Sequence, residues 1–200
     1  DIDVPPTLVS FAVDIAAEKD IITPELKKAG SKLVWLRIET DEYDVPKYGK
    51  VMEQYGKFTE DIRAGRIVSA YAPDRHGVIA AVSKMAFGNR MGVKIEHNMD
   101  ARDLFAPAFG DLIAEVPAEK VSELAITYTV IGEVAQDAAF TYGNVEISIS
   151  EAEEAWKGTL EKVFPTNSGA AGQEEAVDRG LYETSDIHIC THKIGQPTVF

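Results

Sequence analysis

Cysteine is almost absent from this chain: Cys190 is the only one in 200 residues. No internal disulfide can form, and the usage suits a reducing, cytoplasmic setting. No apolar run approaches the roughly 18 residues of a membrane span. No basic-then-apolar leader opens the chain, so no signal peptide is expected. Basic residues are scarce as well. Lys and Arg number 20 against 33 Asp and Glu, a formal charge of −13. Such a surface repels polynucleotides and anionic lipid, so neither nucleic acid nor membrane is an expected partner. There is no internal repeat. What remains is an acidic chain with 45% hydrophobic residues, long enough to bury a core.

Both ends read as cut. The chain opens Asp1-Ile2-Asp3-Val4 without Met and stops at Pro197-Thr198-Val199-Phe200, as a strand begins. An excised domain of a longer protein is the expectation. Residues 7–15 are rich in β-branched and aromatic types and predict a strand. Residues 32–38 (KLVWLRI) are nearly continuous in apolar character, which predicts a strand buried on both faces. Residues 47–64 predict a helix, because Val51, Tyr55, Phe58 and Ile62 share one helical face. A short strand at 67–71 leads through a tight turn at Asp74-Arg75-His76-Gly77. A largely buried helix at 78–87 follows, closed by Gly88-Asn89.

Further strands are expected at 92–96, 111–116 and 126–134, with a short helix at 118–124. Residues 139–142 and 145–149 flank Gly143-Asn144, a hairpin turn signal. Ser150 and Glu153 match a capping box opening a helix to about Val163, with Ala152, Ala155, Trp156, Leu160 and Val163 as its apolar stripe. Residues 165–186 read as a linker and 187–200 as a short extended segment. Mixed helices and strands with a hairpin predict an α+β fold, an α/β sandwich of a mixed sheet packed with helices.

Two constellations could carry chemistry. Between Lys57 and Lys94, seven basic residues face three acids, a local +4 in an acidic chain. The His76-Gly77 turn lies there, with Lys84 and Arg90 downstream. A glycine turn feeding a helix start can hold a phosphate. It can equally be a tight turn on a solvated surface. In the tail, Asp186, His188, Cys190 and His192 alternate onto one face of a strand and are zinc-type ligands. In-line spacing wraps poorly around a tetrahedral ion, so an edge strand reads better than a metal site.

Several segments together resemble a known module. They are Pro5-Pro6-Thr7-Leu8-Val9-Ser10-Phe11-Ala12-Val13, Lys28 to Val34, Gly77 to Met85 with Phe87-Gly88-Asn89, Leu104-Phe105-Ala106-Pro107, and Ile131-Gly132-Glu133-Val134. Glu154-Ala155-Trp156 and Leu160-Glu161-Lys162-Val163-Phe164-Pro165-Thr166 complete the set. The chain resembles the C-terminal domain shared by aminoimidazole ribonucleotide synthetase and phosphoribosylformylglycinamidine synthase, most of all the last such domain of the long-form synthase. That resemblance implies a synthetase-type domain over 1–166. It makes 167–200 a linker and the start of a glutaminase domain.

The implied reaction is an ATP- and magnesium-dependent step of purine synthesis. Formylglycinamide ribonucleotide becomes its amidine with ammonia from glutamine. The implied partners are an N-terminal ATP-binding domain, across a shared cleft, and the glutaminase domain. The glutaminase nucleophile belongs to that further domain, and Cys190 is not assigned the task. The family pattern at the turn is D-x-S-D-G-G-L followed by a helical Glu. Here Ala72-Pro73-Asp74-Arg75-His76-Gly77-Val78 stands instead, with Lys84 at the Glu position and Ala106-Pro107-Ala108-Phe109 at a later acidic stretch. The expectation is therefore a domain without catalytic residues of its own, inactive in isolation. It would touch an anionic ligand through His76, Gly77, Lys84 and Arg90. A free-standing anion-binding or regulatory module of the same fold is the alternative.

Overall fold

The computed structural model describes residues 8–96, 99–163 and 165. Strand β1 (Lys32–Leu36) explains its own composition. Leu33 and Trp35 enter one hydrophobic cluster, while Val34 and Leu36 enter a second on the opposite face. Both faces of β1 are dry, which is why polar residues do not alternate through it.

Around it lie β2 (Ser69–Tyr71), β3 (Gly92–Ile95), β4 (Leu112–Val116), β5 (Thr129–Ala135), β6 (Ala139–Tyr142) and β7 (Val145–Ser148). They form one seven-stranded sheet in the order β2-β4-β1-β5-β3-β6-β7. β3 and β6 run parallel, and the other neighbouring pairs among the described strands are antiparallel. This is the expected mixed-sheet α+β class.

Helix α1 (Tyr48–Arg63) covers one face, with Phe58 packed against Val34, Leu36, Ile67 and Ala114. Helix α2 (Gly77–Asn89) covers the other. Val78, Ala81, Val82, Met85 and Ala86 are buried there with Leu33, Ile113 and Ile131. The short α3 (Ala101–Phe105) and α4 (Ile149–Gly158) flank α2 on that side; Leu104 and Ile149 join its cluster.

Five expectations are corrected. Residues 8–15 join no strand, and Phe11, Val13 and Ile15 are 88%, 95% and 96% exposed. The β pattern is present, but no edge of this sheet receives it. Gly88 does not close α2: the helix runs to Asn89, and Arg90 takes the left-handed conformation at its end (φ 53°). Glycine at 88 serves packing, since a Cβ there would run into the Glu25 side chain at Cγ. Ser148, rather than Ser150, caps α4, accepting from Glu151 N at 3.2 Å. That helix ends at Gly158 rather than near Val163, and Trp156 is 55% exposed, stacked on Phe87. The expected helix at 118–124 is a 3-10 turn, Ala118–Glu123.

Three buried carboxylates lock the connections. Asp61 in α1 accepts from Arg66 Nε at 2.6 Å and from the Ala125 amide at 3.1 Å. Asp111 accepts from Trp35 Nε1 at 2.8 Å and Ile38 N at 2.9 Å. Glu115, in β4 and fully buried, accepts the amides of Lys27 and Lys28 at 2.7 and 2.9 Å. Burial pushes the Glu115 carboxyl above its ordinary value, and those amides, Ser31 and the Lys27 charge offset only part of this.

A folded-state carboxyl pKa above the unfolded one lowers stability as pH climbs from 4.5 through the folded value. Glu115→Gln cannot titrate. Its stability deficit against the wild type is therefore largest in acid and narrows toward neutrality, as urea unfolding across that range will show. Glu115→Ala strands two amides and should cost about 3 kcal/mol in the same assay.

Candidate functional site

The turn between β2 and α2 is organised by one acid. Asp74 Oδ1 accepts the His76 amide at 2.8 Å and lies 3.0 Å from His76 Nδ1, while Lys84 Nζ reaches Asp74 Oδ2 at 3.4 Å. Arg75 Nε donates to His76 Nε2 at 3.3 Å. That network assigns the imidazole proton to Nδ1, pointing at Asp74. The His76 amide holds the Asp74 carboxyl below its ordinary range. Slight burial opposes this, and the His76 side chain and Lys84 reinforce it. Partial burial pulls Lys84 down, but Tyr71 and Asp74 outweigh it and hold the ammonium above its usual value. Lys84 Nζ also stands 5.5 Å from the Tyr71 ring centre.

Two cations, an imidazole and one acid thus share the surface at one end of α2. Helical spacing makes this possible: Lys84 lies two turns into α2 and its long stem reaches back to Asp74. Tyr71 was not singled out in the sequence; the signal was its place at the end of the strand feeding the turn.

Gly77 has a different task. Its φ is +77°, and a Cβ there would lie 2.6 Å from the Leu104 carbonyl oxygen and 2.7 Å from that of Ala106. The backbone of residues 104–106 closes over the helix start, and Ala108 N donates to the Asp74 carbonyl at 3.2 Å. Carbonyl oxygens, which repel an anion, therefore press on Gly77. The cationic side chains lie on the exposed part of the turn.

Arg90 is not brought to this turn. It sits about 20 Å away, at the other end of the 13-residue α2. Its guanidinium braces α4, donating to Glu153 Oε2 and Ser150 Oγ, each at 2.6 Å. His188, Cys190 and His192 lie outside the described residues, as do His97 and residues 167–200.

Two hollows flank the turn region. One of about 500 Å³ is lined by Trp35, Arg37, Asp103, Pro107, Phe109 and Asp111. There Arg37 stacks 3.9 Å from the Trp35 ring centre and pairs with Asp103 at 3.4 Å. Burial raises the Asp111 carboxyl, against the Ile38 amide, the Trp35 indole and the Arg37 charge. The other, about 410 Å³, is an apolar trough between α2, α3 and the β6–β7 hairpin.

Magnesium does not fit this donor set. Asp74 is already committed to His76 and Lys84, and no group of three His, Cys, Asp or Glu side chains suited to a metal occurs among the described residues. A phosphate group does fit the exposed cations. No helix among the described residues is long and apolar enough to cross a membrane.

Fold and site together define an α+β module that presents a cationic turn from the edge strand β2 to helix α2. No family model matches the sequence. Solved structures do match. The chain is similar to phosphoribosylformylglycinamidine synthase II from Thermotoga maritima, at 15% identity and a TM-score of 0.55, covering 66% of this chain and 27% of that one. The T. maritima PurL complex with ATP matches at 15% identity and TM-score 0.53, with 66% and 27% covered. The T. maritima PurL complex with FGAR matches at 14% and 0.55, with 66% and 29% covered. At such identities the likeness establishes the shared fold. The chain spans just over a quarter of the length of these synthase structures.

Gly77→Ala should destabilise the chain by about 1–3 kcal/mol, since it adds backbone strain to a carbonyl clash. Arg90→Ala should cost about 1 kcal/mol through the lost α2–α4 brace. Thermal unfolding measures both.

Proposed function

We propose that the chain is a synthetase-type domain of a longer phosphoribosylformylglycinamidine synthase. The observation that carries this is the fold likeness to the T. maritima synthase, of whose length the chain covers just over a quarter. Two of the segments that suggest the family fall on the elements that build the site, and a third lies in the sheet beneath. Gly77 to Met85 lies within α2, Leu104 to Pro107 runs over Gly77, and Ile131 to Val134 is the middle of β5. On this reading residues 1–166 are the domain, and 167–200 lead to a glutaminase domain. An N-terminal ATP-binding domain completes the nucleotide cleft, in a cytoplasmic enzyme.

The chain's own contribution is binding. Arg75 and Lys84 supply charge-assisted donors for the phosphate of a ribonucleotide, and His76 and Asp74 fix their directions. ATP, bound by the partner domain, supplies the phosphoryl group that activates the substrate amide oxygen before ammonia displaces it. The magnesium that accompanies ATP takes its ligands from that domain. The chain by itself is inactive.

The test is an assay of the full-length protein with ATP, glutamine and formylglycinamide ribonucleotide. Amidine is the expected product. His76→Ala and Lys84→Ala should each raise the KM for the ribonucleotide about tenfold and change kcat less. An antibody against this chain should detect a native protein several times larger than 21.8 kDa. Absence of amidine from the full-length protein overturns the synthase reading. A native band at the size of the chain itself would move the free-standing anion-binding module to first place.

A further inference from the structure

The larger hollow beside the turn, about 500 Å³, holds a cation that the rest of the chain leaves largely unused. Arg37 follows the end of β1 and folds back over Trp35, its guanidinium carbon 3.9 Å from the ring centre. Trp35 is itself fixed. It is 4% exposed, and its indole donates to the buried Asp111 carboxylate at 2.8 Å. The other Asp111 oxygen takes the amide of Ile38, the residue after Arg37, at 2.9 Å. Ring and backbone together hold the guanidinium in one plane. Its ion-pair partner is Asp103, at 3.4 Å, longer than a charge-assisted hydrogen bond. Both side chains are about half exposed, and such a pair contributes little to stability and opens easily. A rigid fork of N–H donors thus faces the hollow.

The walls decide what fits. Asp44 and Asp103 line the hollow with Arg37, and Asp111 lies behind them. The Asp44 backbone is left-handed (φ 59°), a conformation held by Asp41, which accepts the Tyr43 and Val45 amides at 2.8 and 3.0 Å. Carboxylates so placed repel a phosphate, which brings nearly two negative charges. A lone carboxylate gains Arg37 but still meets Asp103. A lone amine gains the acids but leaves the fork empty. A molecule with a carboxylate and an ammonium on one carbon satisfies both and enters without net charge. Ile38, Pro107 and Phe109 form the apolar part of the wall, and Phe109 is largely exposed. A few convergent polar groups against an apolar wall are the ordinary make-up of a small-molecule site.

We propose that this hollow binds a free neutral α-amino acid. The ligand carboxylate takes the fork of Arg37, its ammonium takes Asp103 and Asp44, and its side chain lies against Pro107 and Phe109. Asp111 does not touch the ligand: it is a positioning residue, holding Trp35 and through it Arg37. The inference uses only this chain's residues and does not rest on the synthase reading.

The test reads Trp35 fluorescence in the 200-residue chain carrying Trp156→Phe, which leaves Trp35 as its only tryptophan. The probes are L-leucine, L-methionine, L-phenylalanine and L-glutamine. L-leucinamide, which lacks the carboxylate, and isocaproate, which lacks the ammonium, are the controls. At least one amino acid should shift the emission saturably, with each truncated control bound about tenfold more weakly than L-leucine. Arg37→Gln should abolish binding and Asp103→Asn should weaken it about tenfold, both with unchanged circular dichroism, as their exposure allows. Calorimetric titration of the same variants reads binding without the reporter ring. A chain that none of the four amino acids titrates by either method overturns the proposal. So do controls that bind as well as L-leucine, which would make the hollow an apolar trap. Displacement of the amino acid by inorganic phosphate overturns it too, by joining the hollow to the phosphate-binding turn.

Discussion

A carboxylate with no access to water, Glu115, ties this molecule together. It stands in β4 on the same face as α2, where a leucine would pack more cheaply. It is tolerated because it accepts two backbone amides from the loop at 27–28. That loop is fastened on both sides. The Leu26 amide donates to the Met85 carbonyl in α2 at 3.0 Å, and Ser69 of β2 donates to Pro24. Glu115 thereby sets the height of the loop, the loop sets the C-terminal half of α2, and the rigid helix carries that placement to the turn at Asp74. Removing a buried acceptor of this kind strands donors that have no water to turn to.

Asp61 and Asp111 repeat the device at two other connections. Each satisfies a backbone amide in a segment that has no ladder to join. A sheet with both faces covered leaves its connecting loops partly dry, and their amides must find acceptors within the chain. Acids spaced through an otherwise apolar core solve that problem at the cost of desolvation, visible in the raised Glu115 and Asp111 carboxyls.

The elements that follow from periodicity could be read from the sequence: β1 from its unbroken apolar run, α1 from its single face, the β6–β7 hairpin from Gly143-Asn144. Two kinds of feature could not. An acid in a strand reads as solvent-facing, so LIAEV gave no hint that Glu115 faces inward; only the distant loop at 27–28 explains it. A pattern with no partner also misleads. Residues 8–15 carry every local mark of a strand, yet a strand needs a neighbour, and local pattern does not say whether one is within reach. The capping serine shifted by two positions for a simpler reason. Ser148 and Ser150 both precede an acid by three residues, and the bond from Arg90 engages Ser150 elsewhere.

The site shows the same division. His76 and Lys84 were legible as one cluster because two helical turns bring them to the same end of α2. Arg90 belonged with them by charge and sequence distance alone, and 13 residues of helix carry it to the opposite end. Gly77 was legible as a necessary glycine, while the reason, two carbonyls pressing on its Cα, comes from a segment nearly thirty residues away. Those carbonyls also decide how the turn can act. They bar an anion from the helix start and leave Arg75 and the half-buried Lys84 as the cations of the turn, oriented by one carboxylate. Such a turn is electrostatically suited to hold a phosphate and has no spare acid to hold a metal. In the proposed enzyme, that would leave substrate binding to this domain and the metal and ATP to its partner domain.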